Sequence, residues 1–149
     1  MEVLINNRQS RQKIPLKKIK QTVQVILDVL DCPDSEISIL IVDDPQIEDL
    51  NQQYLNRRGP TNVIAFPMRE GEFSDVSPHL LGDVVISIDT AAREAQMAAT
   101  TTERRFNELL VHGILHLMGY DHETSEDEAR VMENKSKEIL ALLSEDQPW

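Results

Sequence analysis

Residues 109–118 read LLVHGILHLM, and Gly119 follows. This run is too long for an ordinary strand and reads as the end of a helix that is apolar on almost every side. Such a helix has no face to offer to water, so the rest of the chain must bury it. A chain of 149 residues is long enough to do so within one domain, and residues 1–149 are read as a single domain.

The surrounding pattern supplies the covering layers. Residues 2–7 read as a short edge strand. Pro15 suits the first turn of a helix, whose apolar face is Ile19, Val23, Ile26, Leu27 and Leu30 and which ends at Cys32-Pro33. The β-branched run 37–42 reads as a buried strand. Asp44-Pro45 opens a second helix with Asp44 as N-cap and with Ile47, Leu50 and Tyr54 on its apolar face. Strands are expected at 62–68 and 84–88, and a helix capped by Asp89 at about 89–99. The threonines at 100–102 interrupt it, and the apolar helix then runs over about 103–118. Ser125 and Glu128 have the spacing of a capping box, which opens a last helix to about residue 143. The expected fold is α+β, with a mixed four-stranded sheet and about five helices.

Three of the four histidines, His112, His116 and His122, fall in or just after the apolar helix. His112 and His116 are four residues apart, so their rings leave one face a turn apart and can chelate one ion. Gly119 permits a sharp turn that brings back His122 as a third ligand. Three neutral imidazoles are a normal zinc set with one position left open, as in catalytic rather than structural sites. Two imidazoles in apolar surroundings without a partner would be costly polar groups, and a metal removes that cost by taking their lone pairs. The expected cofactor is one zinc ion per chain, although nickel, copper and iron also accept this ligand type.

The H-x3-H-x2-G-x2-H spacing equals that of the metzincin proteases and makes the helix zincin-like, with one difference. The glutamate that serves those enzymes as general base follows their first histidine, and here that position is Gly113. Peptide hydrolysis by that route is disfavoured. Glu108 and Asp121 are nearby carboxylates that suit a solvated helix position and a partner that orients a histidine; neither is assigned as a base. The nucleophile and the general base are not legible.

The net charge of −11 argues against a generic nucleic-acid binder. Residues 8–20 nevertheless hold Arg8, Arg11, Lys13, Lys17, Lys18 and Lys20 and no acid, which fits a solvated helix face or a local phosphate-facing patch. One cysteine, Cys32, no signal-like N-terminus and no long apolar span are what a cytoplasmic protein without membrane contact is expected to have. Cys32 reads as a small buried side chain, Trp149 as a packing or fraying residue rather than a base-stacking platform, and His79 as a loop residue rather than a fourth ligand.

The run HGILHLMGYDH resembles the H-G-x-L-H-L-x-G-Y-D-H motif of the YbeY-type endoribonucleases, the bacterial rRNA maturation factors. Upstream, Leu50-Asn51, Tyr54 and Pro60 to Phe66 are similar to that family's L-N-x-x-Y-R-x-x-D-x-P-T-D/N-V-L-S-F, and Leu81 to Ser87 to its L-G-D-I-x-I-S. The likeness runs from about residue 37 to 143. It implies a single-strand-specific, metal-dependent endoribonuclease of 16S rRNA 3′-end maturation and ribosome quality control, with zinc on His112, His116 and His122. Ribosomal RNA and small-subunit components are the partners it implies. The family's arginine after the tyrosine is here Leu55, and Arg57 and Arg58 are the nearby candidates to replace it. Two other functions compete on the residues alone: a non-enzymatic ribosome assembly factor with a structural metal, and a metallohydrolase of another substrate.

Overall fold

The structure, a computed structural model, describes residues 3–68, 80–120, 125–143 and 149. Its elements follow in the order β1 (Val3–Asn7), α1 (Leu16–Val29), β2 (Glu36–Val42), α2 (Asp44–Leu55), β3 (Val63–Pro67), β4 (Leu80–Ser87), α3 (Ile88–Met97), α4 (Thr102–Leu117) and α5 (Glu126–Leu142). The four strands form one sheet in the order β1-β2-β4-β3. β1, β2 and β4 are parallel, and β3 runs antiparallel to β4 along the outer edge. The mixed sheet with five helices is the α+β arrangement that the pattern of apolar runs predicts.

Strand alternation sorts the side chains onto two faces. Ile37, Ile39, Ile41, Val84 and Ile86 join Ile19, Val23, Ile26 and Leu27 of α1 and the apolar side of α4 in the main core. Val42, Val85 and Ile64 meet Ile47 of α2 in a smaller cluster on the other face. The buried helix is therefore α4: Phe106, Leu109, Leu110, Val111, Gly113, Ile114, Leu115 and Leu117 are all buried.

Several local expectations are corrected. Asp43, not Asp44, caps α2: its backbone is extended and its side chain accepts from the Gln46 N–H at 3.0 Å. Asp44 is already helical and turns its carboxylate to the start of α3. There Ser87 and Thr90 each donate a hydroxyl at 2.6 Å, and Arg93 donates at 3.0 Å. The cap of α3 is Ser87 rather than Asp89, because β4 delivers the chain into the helix without a loop. Asp89 instead accepts the Asp44 N–H at 3.0 Å. Pro15 lies just ahead of α1, at its N-cap. Tyr54, placed by spacing on the apolar face of α2, is 61% exposed and meets Phe66 edge-on, while Asn51 takes the buried position. β4 begins at Leu80, earlier than the apolar run beginning at Val84 indicates.

Candidate functional site

The helix α4 divides into three stripes. The middle stripe, with Phe106, Gly113 and Leu117, faces the core. A Cβ on Gly113 would lie 2.7 Å from Cγ1 of Val84 and 3.3 Å from Cγ2 of Val63, so this position sits directly over β4 and β3. On one flank Glu103 is 3% exposed and pairs with Lys18 of α1, which packs against β1. That flank therefore looks inward along the sheet. The opposite flank carries Arg105, Glu108, His112 and His116 at helical spacing. β3 is one of the two edge strands of the sheet, and no strand among the described residues pairs with its outer side; α4 packs against β3, and α3 lies against the Arg105 end of this flank.

On that flank the two imidazoles converge. Nε2 of His116 lies 3.1 Å from Nε2 of His112, with ring centroids 4.6 Å apart and planes at 77°. Both rings are half-buried. With zinc–nitrogen bonds of about 2.0–2.1 Å, two nitrogens at this separation subtend an angle of roughly 95–102°, which is near tetrahedral. The pair fits a common ion. Gly119 ends the helix with φ +99°, a left-handed conformation that glycine adopts without strain. His122 and Asp121 lie outside the described residues, as does His79. Among the described residues no group of three metal-ligating side chains comes together. A cavity of about 330 Å³ lined by Met118, Gly119, Tyr120, Asp127, Glu128 and Val131 lies at this end of the helix.

The carboxylate of Glu108 does not stand alone. Arg105 reaches it at 3.0 Å and binds Glu94 of α3 at 3.0 Å with the same guanidinium, and Arg104 lies 3.7 Å away. Burial works to lower the Arg105 pKa, but hydrogen bonds to Glu108 and Glu94 and their charges outweigh it and raise it. Asn62, just ahead of β3, donates to Glu94 at 3.3 Å. This network ties α3, α4 and the start of β3 together beside the histidines. The i,i+3 spacing of Arg105 and Glu108 is visible in the sequence, whereas Glu94 joins them only through the packing of α3 on α4.

The basic segment 8–20 is partly committed to structure. Lys18 pairs with Glu103, and Arg11 lies 3.8 Å from Asp89. Arg57 and Arg58 are different. They are exposed, in the loop that leads from α2 to β3, and among the described residues no carboxylate pairs with either. Asn51 holds this loop: its side-chain amide donates to the Gly59 carbonyl at 3.0 Å, and its own carbonyl accepts from the Arg57 N–H at 3.2 Å. Leu55 is 42% exposed at the last position of α2. Cys32, expected to be buried, is only half-buried and lies against Met118 (Sγ–Sδ 4.0 Å), while Trp149 packs edge-on against Phe106 (centroids 4.9 Å).

Comparison with known proteins agrees with this framework. The family model of endoribonuclease YbeY matches residues 4–144, and the chain belongs to that family. The endoribonuclease YbeY of Geobacter sulfurreducens is 51% identical over 144 residues, covering 96% of both chains. That of Syntrophotalea carbinolica is 50% identical over 143 residues, covering 95% of both. The likeness thus extends toward the N-terminus beyond the motifs, into β1 and α1. The solution structure of TM1509 from Thermotoga maritima is similar in fold, with a TM-score of 0.65 at 23% identity, covering 94% of this chain and 87% of that one. No helix among the described residues is long and apolar enough to cross a membrane.

Proposed function

We propose that this chain is a zinc-dependent endoribonuclease that cleaves single-stranded RNA in 16S rRNA 3′-end maturation and ribosome quality control. The whole chain, residues 1–149, forms its one domain, and it works in the cytoplasm on ribosomal RNA and small-subunit components. The observation that carries the reading is the convergence of the His112 and His116 Nε2 atoms on one flank of the helix that packs against edge strand β3, in a member of this family.

His112, His116 and His122 would hold one ion, which when bound supplies Lewis-acid stabilisation of the charge that develops on a phosphate. Gly113 keeps α4 close against β3 and β4, which fixes the height of both rings above the edge strand. The Glu94–Arg105–Glu108 network holds both carboxylates on one guanidinium, and with Arg104 beside Glu108 their charge is offset where a polyanion must approach. Arg57 and Arg58 supply phosphate contacts in place of the family arginine replaced by Leu55.

The experiment is cleavage of single-stranded rRNA fragments by the purified protein, with His112→Ala as control. Cleavage by the wild type and loss in the variant are expected. Equal cleavage by both would mean that a contaminating nuclease is responsible.

A further inference from the structure

The edge strand beside the histidines has a polarity that the pairing pattern fixes. The Asn62 carbonyl accepts the Ser87 N–H at 3.0 Å, and the Met68 N–H donates to the Leu81 carbonyl at 2.9 Å. Both contacts lie in the register that pairs Ile64 with Val85 and Phe66 with Asp83. In an antiparallel ladder the hydrogen-bonded residues alternate. Residues 62, 64, 66 and 68 therefore turn their main chain toward β4, and Val63, Ala65 and Pro67 turn theirs outward. No strand among the described residues pairs with that outer side. Val63 and Ala65 present N–H and C=O groups there, and Pro67, with no N–H, closes the row. Within β3 the side chain of Val63 meets Gly113, the neighbour of His112 on α4, so this outward row starts under the helix that carries the histidines.

We infer that the outward main chain of Val63 and Ala65 pairs with the Watson–Crick edges of unpaired bases, and that this contact makes the site specific for single strands. A main-chain N–H beside a C=O is complementary to the donor and acceptor groups of a base edge. In a duplex that edge is occupied by the opposite base, so only an unpaired base can reach the strand. A nucleic acid is favoured over an added peptide strand by two features. The row has only two donors before Pro67 ends it, which is short for strand addition. Arg57 and Arg58, exposed and without carboxylate partners among the described residues, lie in the loop that enters the same strand and suit phosphates. The inference rests on the ribonuclease reading for its substrate, but its test does not need cleavage.

Two measurements test it. Ala65→Pro removes an outward N–H and leaves the ladder with β4 intact, as Pro67 already does at the same parity. The variant is expected to keep the melting temperature and the metal content of the wild type. Its KM for an unpaired oligoribonucleotide is expected to rise roughly tenfold with little change in kcat, the scale of a lost hydrogen-bond contact. Unchanged KM in a folded variant overturns the inference.

If the variant does not fold, backbone amide shifts of the wild type decide. A single-stranded oligonucleotide, shown intact after the measurement, should move the amides of Val63 and Ala65 more than those of Ile64 and Phe66, and the same sequence as a duplex should not. The absence of this alternation, or its appearance only with a basic peptide, overturns the inference. Absence of cleavage by the wild type would instead sink the ribonuclease reading, whatever the amides show.

Discussion

Gly113 and Val84 are in such close apposition that a single added carbon at position 113 would stand 2.7 Å from the valine Cγ1. Valine is stiff about its Cα–Cβ bond, so it cannot swing aside. Alanine would gain about 1 kcal/mol over glycine in helix propensity, but overpacking of this kind costs about 1–3 kcal/mol. Gly113→Ala should therefore lose about 1 kcal/mol of stability in denaturant unfolding, and Val84→Ala should recover part of that loss in the double variant. An alanine variant more stable than the wild type would show that the helix can lift off the sheet without cost.

The buried carboxylate of Glu103 depends on Lys18. Removal of one partner of a buried pair leaves an uncompensated charge, at a cost of about 3–5 kcal/mol. Lys18→Met should destabilise the fold by an amount of this order, whereas Lys18→Met combined with Glu103→Leu should approach wild-type stability. Equal loss in the single and double variants would mean that the pair contributes through something other than charge compensation.

Asp44 links stability to pH. Burial works to raise its pKa, but hydrogen bonds from Ser87, Thr90 and Arg93 and the Arg93 charge outweigh it and hold it below the ordinary value. A group depressed in the folded state stabilises that state above its unfolded pKa, about 3.9 for Asp, and this contribution fades as pH falls through the lower folded value. Asp44→Asn should lower the melting temperature at neutral pH and flatten its decline in acid. Parallel melting curves from pH 6 to pH 2 for the two proteins would contradict the assignment.

Arg105 should resist conservative replacement. Its fork holds Glu94 and Glu108 at once, each at 3.0 Å, and a lysine ammonium cannot reproduce that geometry. Arg105→Lys and Arg105→Ala are expected to lose similar stability, of order 1 kcal/mol for partly exposed pairs. Full stability in the lysine variant would reduce the network to simple charge balance.

Much of this was legible in the residues, for physical reasons that differ by element. His112 and His116 were readable as a pair because helical periodicity alone puts them on one flank. The burial of α4 followed from its lack of a polar face. The choice between Asp43 and Asp44 as cap was not readable, since both carry the capping oxygen and only the path out of β2 decides. Ser87 was hidden for the same reason: strand and helix abut there, and no loop marks the junction. Gly113 was readable only as a missing base. Its packing against Val84 depends on the height of α4 above the sheet, which no local pattern encodes. The link from Arg105 to Glu94 joins two helices, so spacing within either one reveals only half of it.

The central claim is that His112, His116 and His122 hold one zinc ion. It is tested most directly by metal analysis of the purified protein and of the three single alanine variants, with folding checked in each. The account predicts about one zinc per chain in the wild type, and in each folded variant a loss of zinc affinity large enough for dialysis to strip the ion. Zinc retained at wild-type stoichiometry and affinity in any one of the three variants would contradict it.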